Sequence, residues 1–316
     1  MADCLSVGVL VADHVSAPID HMPVPGELIL TEKLQLSVGG CASNAALDMA
    51  RIGVDVEVVG CVGDDAFGTF LIDALAAGGA GTKLIRRLTD VGTSGTLIVN
   101  VKGEDRRFVH TTGANARVRA ADIPWDEVRK AKILYVGGFL LMSALEGREL
   151  AEVFAQARQA GVTTVLDVVV PGPGKHWEQL EPLLPHTDVF LPNDDEARAI
   201  TGLKDPKQQA EKFAAAGAST VIITCGGSGT YLLDKTQRLK ADVFSQPFVS
   251  ATGAGDAFDA GYIAGLLRGL NPHGCLAWGS ALGASCIRGV SATESVFNRA
   301  EAETFLRENS LTIQPW

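Results

Sequence analysis

The chain is expected to form an α/β fold, a doubly wound and mainly parallel sheet flanked by helices with a small β lid. Three observations predict it. Short apolar runs suited to buried strands recur along the chain, helical stretches separate them, and one polar hairpin breaks the rhythm without a helix between its strands. The 316 residues are read as a single domain, 1–316, with the lid drawn from inserted segments about 14–37 and 95–111.

Taken in order, residues 5–12 are an apolar run that ends on Asp13, and strand ends are where such sheets keep their ligands. Pro18, Pro23, Pro25 and Gly26 then lead into 28–36, whose partial alternation suits an exposed strand. The pair Gly39-Gly40 opens through Cys41-Ala42-Ser43-Asn44 into a helix over 45–52. Residues 55–62 predict a second buried strand, followed by Gly63-Asp64-Asp65-Ala66-Phe67-Gly68 and a helix to about Ala77. Strands over 95–101 and 106–110 around a polar turn make the hairpin. The alternation resumes with strands at 132–137, 162–167, 188–191 and 220–224, separated by helical segments that include 144–160 and 206–216. Runs at 230–233 and 239–243 predict an antiparallel addition, and helices are expected near 272–287 and 299–308.

Composition narrows the function classes. A formal net charge of −10 opposes general binding to nucleic acid or an anionic membrane surface. The six cysteines are scattered without a C-x-x-C pair, and the longest apolar stretch, 133–142, is about half the roughly 20 residues a bilayer span requires. A cytoplasmic protein with no nucleic-acid or membrane partner is expected.

Thr252-Gly253-Ala254-Gly255-Asp256 reads as a glycine-rich turn opening directly into a helix, an arrangement that leaves backbone N–H groups free for an anion. Asp256 falls in the first helical turn, where it either reaches a group brought up to a bound phosphate or serves as ordinary helix-start chemistry. Asn193, with Glu196 three residues later, has the spacing of a capping box. Asp13 can be a solvated strand end, Asn44 a helix cap, and Gly226-Gly227-Ser228-Gly229 a simple hairpin turn. Lys102, Arg106 and Arg107 can hold a phosphate on the hairpin or form a solvated charged turn.

Two separated motifs share one resemblance. Gly39-Gly40-Cys41-Ala42-Ser43-Asn44 resembles the N-terminal signature of the PfkB, or ribokinase-like, sugar kinases, and Ala251 to Phe258 resembles their C-terminal signature. Gly63 to Gly68, Gly113-Ala114-Asn115 and Asn193-Asp194-Asp195-Glu196 resemble further landmarks of the family in the right order. The resemblance implies a ribokinase-like fold and ATP-dependent phosphorylation of a sugar or related polyol. It makes Asp256 the catalytic base and the amides of Gly253, Ala254 and Gly255 the anion hole. It places Asp13, Gly40, Asn44 and Asn115 at the sugar, Asn193 and Glu196 at Mg²⁺ directly or through water, and Thr224, Gly226 and Gly229 at the nucleotide. Cys41 stands where relatives acting on sugar phosphates often have Lys, which points to an unphosphorylated acceptor. Nucleoside kinases of the same fold and non-catalytic sugar sensors are the alternatives. Ser250 replaces an Asp that commonly supports a monovalent cation, and the Asn and Arg often found after the equivalent of Asp167 are missing. A homodimer through the exposed lid strands is also expected.

Overall fold

Residues buried at every position of a strand belong to a sheet covered on both faces, and Cys4–Gly8 and Ile133–Gly137 are buried throughout. The computed structural model describes residues 2–104 and 107–316. Arg106, named above on the hairpin, lies outside the described residues.

The strands are β1 (Cys4–Gly8), β2 (Val11–Ser16), β3 (Leu34–Gly39), β4 (Val56–Gly63), β5 (Gly81–Leu88), β6 (Gly95–Val99), β7 (Arg107–Thr111), β8 (Ile133–Gly137), β9 (Thr163–Leu166), β10 (Val189–Phe190), β11 (Thr220–Thr224), β12 (Thr230–Leu233), β13 (Arg238–Ala241) and β14 (Ile313–Pro315). The α-helices are α1 (Cys41–Arg51), α2 (Ala66–Ala77), α3 (Trp125–Val128), α4 (Gly147–Gln159), α5 (His176–Leu180), α6 (Asp194–Thr201), α7 (Pro206–Ala215), α8 (Ala254–Leu267), α9 (Pro272–Cys286) and α10 (Arg299–Glu308).

Ten strands form the main sheet in the order β14-β13-β12-β11-β10-β9-β8-β1-β4-β5. The seven from β11 to β5 run parallel, and β12, β13 and β14 join antiparallel. Because successive strand residues face opposite ways, Ile133 and Tyr135 enter one core cluster with α1, α8 and α9, whereas Leu134 and Val136 enter another with α4 and α7. β1 is flanked by β8 on one side and β4 on the other, so the chain order reverses there, and a crevice opens at the carboxyl ends of the strands.

A second sheet of four strands, β3-β2-β6-β7, stands apart from the first. Its register puts Asp13, Val15, Ser37, Gln35, Thr96 and Ile98 on one face.

Three expectations need correction. The apolar run 5–12 is not one strand: β1 ends at Gly8, and β2 begins at Val11 in the small sheet, so Asp13 is carried by that sheet. The break is held by Asn115, whose Oδ1 accepts from the Leu10 N–H at 3.1 Å while its Nδ2 donates to the Leu10 carbonyl at 2.9 Å. The exposed strand expected over 28–36 starts only at Leu34, and Leu28 and Leu30 stand outside it at 81% and 85% exposure. The half-exposed edge strand β5 and the short β14 were not anticipated.

Asn115 satisfies two buried backbone groups at once. Asn115→Ala is expected to cost about 1–3 kcal/mol, read as a lower urea midpoint with an unchanged slope.

Candidate active site

Gly253 adopts φ 79°, a left-handed conformation, and caps α8 where a side-chain Cβ would come within 2.5 Å of the Ala292 carbonyl oxygen. The turn therefore starts the helix with its first N–H groups pointing outward. Ala254 N–H donates back to the Ala251 carbonyl at 3.2 Å. The N–H groups of Gly253 and Gly255 precede the first intrahelical partner, and the space in front of Gly255 is open.

Asp256 sits in that first turn and accepts a hydrogen bond of 2.8 Å from Nδ2 of Asn44. Asn44 reaches it because Gly40 turns the chain into α1 at φ 91° with its α-carbon tight against the Val9 carbonyl. The ligand-capable atoms of Cys41, Asp167 and Asp256 lie within 4.8 Å of one another. Asp167 follows β9 and accepts from the Gly138 N–H at 2.8 Å. One turn beyond Asp256, buried Asp259 accepts from the Tyr135 hydroxyl at 3.0 Å.

Burial pushes the Asp256 carboxyl above its ordinary range, with the Asn44 and Cys41 contacts opposing it. Asp167 is pushed well up by burial first and then by Glu196 and Asp256. Glu196 rises to about 8, again mainly through burial. Among the described residues, no lysine or arginine is one of the groups that set these three.

Asn193 and Glu196 form the reciprocal capping box of α6: Glu196 N–H donates to Asn193 Oδ1 at 2.8 Å, and Asn193 N–H donates to Glu196 Oε2 at 2.9 Å. Thr224 ends β11 beside Asn193, with which it forms an isolated parallel bridge. Gly226–Ser228 is a 3₁₀ turn that returns the chain into β12, and Gly226 and Gly227 face open space.

Asp13 is carried by β2 and closely lined by Gly39, where a Cβ would overlap its carboxylate. Burial lifts it to about 6 against the Thr96 hydrogen bond. From Asp13 a cavity of about 550 Å³ runs outward between the small sheet, with Ser37, Gln35 and Asn100, and the segment carrying Phe248 and Ser250. Of the hairpin cations, Lys102 pairs with Asp20 at 2.7 Å and Arg107 pairs with Glu104, so both already have acidic partners.

Both glycine motifs thus meet at one crevice, Asn44 from the first against Asp256 from the second. The family described as pfkB family carbohydrate kinase matches residues 1–299. The chain belongs to the PfkB family. It is 29% identical over 308 residues to the ribokinase of Haemophilus influenzae, covering 95% of this chain and 97% of that one. To the 2-dehydro-3-deoxygluconokinase of Bacillus subtilis it is 28% identical over 279 residues, covering 85% and 86%. The crystal structure of Thermotoga maritima ribokinase superimposes with a TM-score of 0.83 at 25% identity, covering 97% of this chain and all of that one. The fold of this PfkB kinase is ribokinase-like, and the protein is a phosphotransferase that uses an alcohol group as acceptor. No helix among the described residues is long and apolar enough to cross a membrane.

That Asp167 and Cys41 meet Asp256 is not visible in the sequence, and Asp259 and Asp48 join the site only through the fold. The available signal was an acid on an otherwise apolar helix face, three residues beyond Asp256 or four beyond Asn44.

Asp13 carries a stability consequence in this PfkB kinase. Its carboxyl holds a proton more tightly folded than unfolded, so its contribution to stability is full below pH 3.8 and is lost as pH rises through about 6. Asp13→Asn is therefore expected to stabilise the protein by about 1–3 kcal/mol at pH 8 and to give no gain at about pH 3, measured by denaturant titration at both values.

Proposed function

We propose that this PfkB kinase transfers the γ-phosphoryl group of ATP to a hydroxyl of an unphosphorylated sugar or related polyol, with Asp256 as the base. The observation that carries the reading is the placement of Asp256, held by Asn44 at 2.8 Å, at a helix start whose outward N–H groups can take an anion. In a loose phosphoryl-transfer transition state the attacking hydroxyl needs orientation more than strong deprotonation. A carboxylate fixed by Asn44 supplies both, and accepts the proton as the new O–P bond forms. The amides of Gly253, Ala254 and Gly255 are assigned to the transferring phosphoryl; those of Gly253 and Gly255 are the better placed, since Ala254 already bonds Ala251.

The acceptor is assigned to Asp13, Gly40 and Asn44, where a carboxylate and an amide beside exposed backbone can read neighbouring hydroxyls. Asn115 is assigned with them, and through Oδ1 and one Nδ2 hydrogen it also holds the Leu10 backbone that leads to Asp13. Thr224, Gly226 and Gly229 are assigned to the nucleotide.

Mg²⁺ suits a crevice of crowded carboxyls with no cationic side chain among the groups that govern them. Glu196 keeps one carboxylate oxygen beyond its capping bond, while Asn193 Oδ1 is occupied by Glu196 N–H, which favours water between Asn193 and the ion. Mg²⁺ when bound neutralises phosphate charge. Ser250 Oγ accepts from Thr252 N–H and brings no carboxylate, so a monovalent cation is left out of the reading.

Phe248, 71% exposed on the cavity wall, favours a second reading in which a nucleoside stacks its base there. ADP release over a panel of sugars, sugar acids, sugar phosphates and nucleosides separates the two. Asp256→Asn is expected to lower kcat by about 10²–10⁴-fold with ATP binding retained. Sugar binding without Asp256-dependent turnover of any acceptor would instead support a sensor.

The small sheet is proposed as a lid over the acceptor, and its opposite face as a homodimer contact. By register that face carries Leu34, Leu97 and Val109, which are 73%, 45% and 69% exposed. Sedimentation is expected to show a dimer that Val109→Asp dissociates; a monomeric wild type would refute the contact.

A further inference from the structure

Three buried acceptor atoms on α1 lack any partner among the described residues: Oδ1 of Asn44 and both carboxylate oxygens of Asp48. Both side chains are buried, Asp48 completely. They are four residues apart on one helix and so occupy the same face, and helical side chains lean toward the N-terminus, which carries the Asp48 carboxyl back over the turn that bears Asn44. Buried polar groups left without hydrogen bonds are rare in folded proteins.

We propose that Asp48 is a positioning residue for Asp256: its carboxyl O–H donates to Asn44 Oδ1 and thereby fixes the amide whose Nδ2 holds the Asp256 carboxylate. The inference rests on the proposed role of Asp256.

An amide has donors at one end only. Asn44 has turned that end to Asp256, so its oxygen faces away, and an ionised Asp48 would bring a second acceptor to it. A protonated Asp48 satisfies Asn44 Oδ1 and one of its own oxygens in a single bond. The surroundings agree. Burial, followed by the charge of Asp256, pushes the Asp48 carboxyl well up, with Arg51 the one opposing group. Arg51 directs its Nη1 to the carbonyls of Thr293, Glu294 and Val296. From α9 the neighbouring titratable group is Cys286, itself pushed up by burial and by Asp48. The chain Asp48, Asn44, Asp256 thus runs from the interior of the α1 face to the reacting end of α8.

Replacing Asp48 by Leu removes the donor while keeping the branched skeleton at a larger volume, and replacing it by Asn keeps a donor that cannot ionise. Asp48→Leu is expected to lower kcat about five- to tenfold and to leave the KM for ATP unchanged. Asp48→Asn is expected to restore most of that turnover. Wild-type kcat in Asp48→Leu, or an Asp48→Asn as impaired as Asp48→Leu, overturns the proposal. Infrared difference spectra at pH 8 add an arm that needs no substrate: a protonated-carboxyl stretch present in the wild type and lost in Asp48→Asn is expected, and an unchanged band refutes the bond even if Asp48→Leu fails to fold. Wild-type turnover in the same assay keeps the outcomes apart, since its absence for every acceptor strikes the proposed function and leaves the infrared arm standing.

Discussion

The hydrogen bond from Asn44 to Asp256 joins residues 212 positions apart, and much of the architecture serves to make that distance short. It requires α1 and α8 to pack side by side. Ala42, Ala45 and Ala46 of one helix and Ala257, Ala260 and Ala264 of the other are buried in one cluster, where small side chains let two backbones approach. It also requires both helices to begin at the same crevice, which the turns at Gly40 and Gly253 accomplish with backbone conformations that larger residues rarely adopt. The sheet beneath then sets the rest, because β1 and β8 end where α1 and α8 begin to face each other.

A second constraint is electrostatic. Asp13, Asp167, Asp256 and Glu196 all have carboxyls raised by burial, and several raise each other. Such a concentration is costly for an isolated fold, since taking carboxylates out of water without a compensating charge opposes their ionisation. The chain lessens the cost with directed donors: Gly138 N–H to Asp167, Tyr135 hydroxyl to Asp259, Asn44 to Asp256. On the proposed reading the remaining charge is met by the metal that accompanies the nucleotide.

The alternation of apolar runs and helices was legible because both faces of a parallel sheet must be covered, and the hairpin was legible because it broke that rule. The short β12 matched its expected range to the residue, and α10 matched as well. What was not legible depends on contacts distant in sequence. Nothing local in residues 5–12 says that Leu10 will find Asn115, yet that pairing ends one sheet and starts another. β5 and β14 lie at the edges of the sheet, where half-exposed residues carry no strong pattern. Within the site, Asn193 and Glu196 show a limit of another kind. Their spacing is that of a capping box, the box is present, and this leaves the same carboxylate facing the crevice; local chemistry and proposed chemistry share one pair of residues.

The small sheet meets the crevice through Asp13, while Asp256 belongs to a helix of the large one. On the proposed reading, recognition is therefore shared between the small sheet, through Asp13, and the turn into α1, through Gly40 and Asn44, while the base stands on α8. The outer ends of β2, β3, β6 and β7 can be rewritten, in length or in side chains, whereas the end of β3 at Gly39 and the start of β2 at Val11 are tied to the turn at Gly40. Such a division makes specificity cheap to diversify and reactivity hard to alter, and it suits a family whose members are named for acceptors as different as ribose and a deoxygluconate.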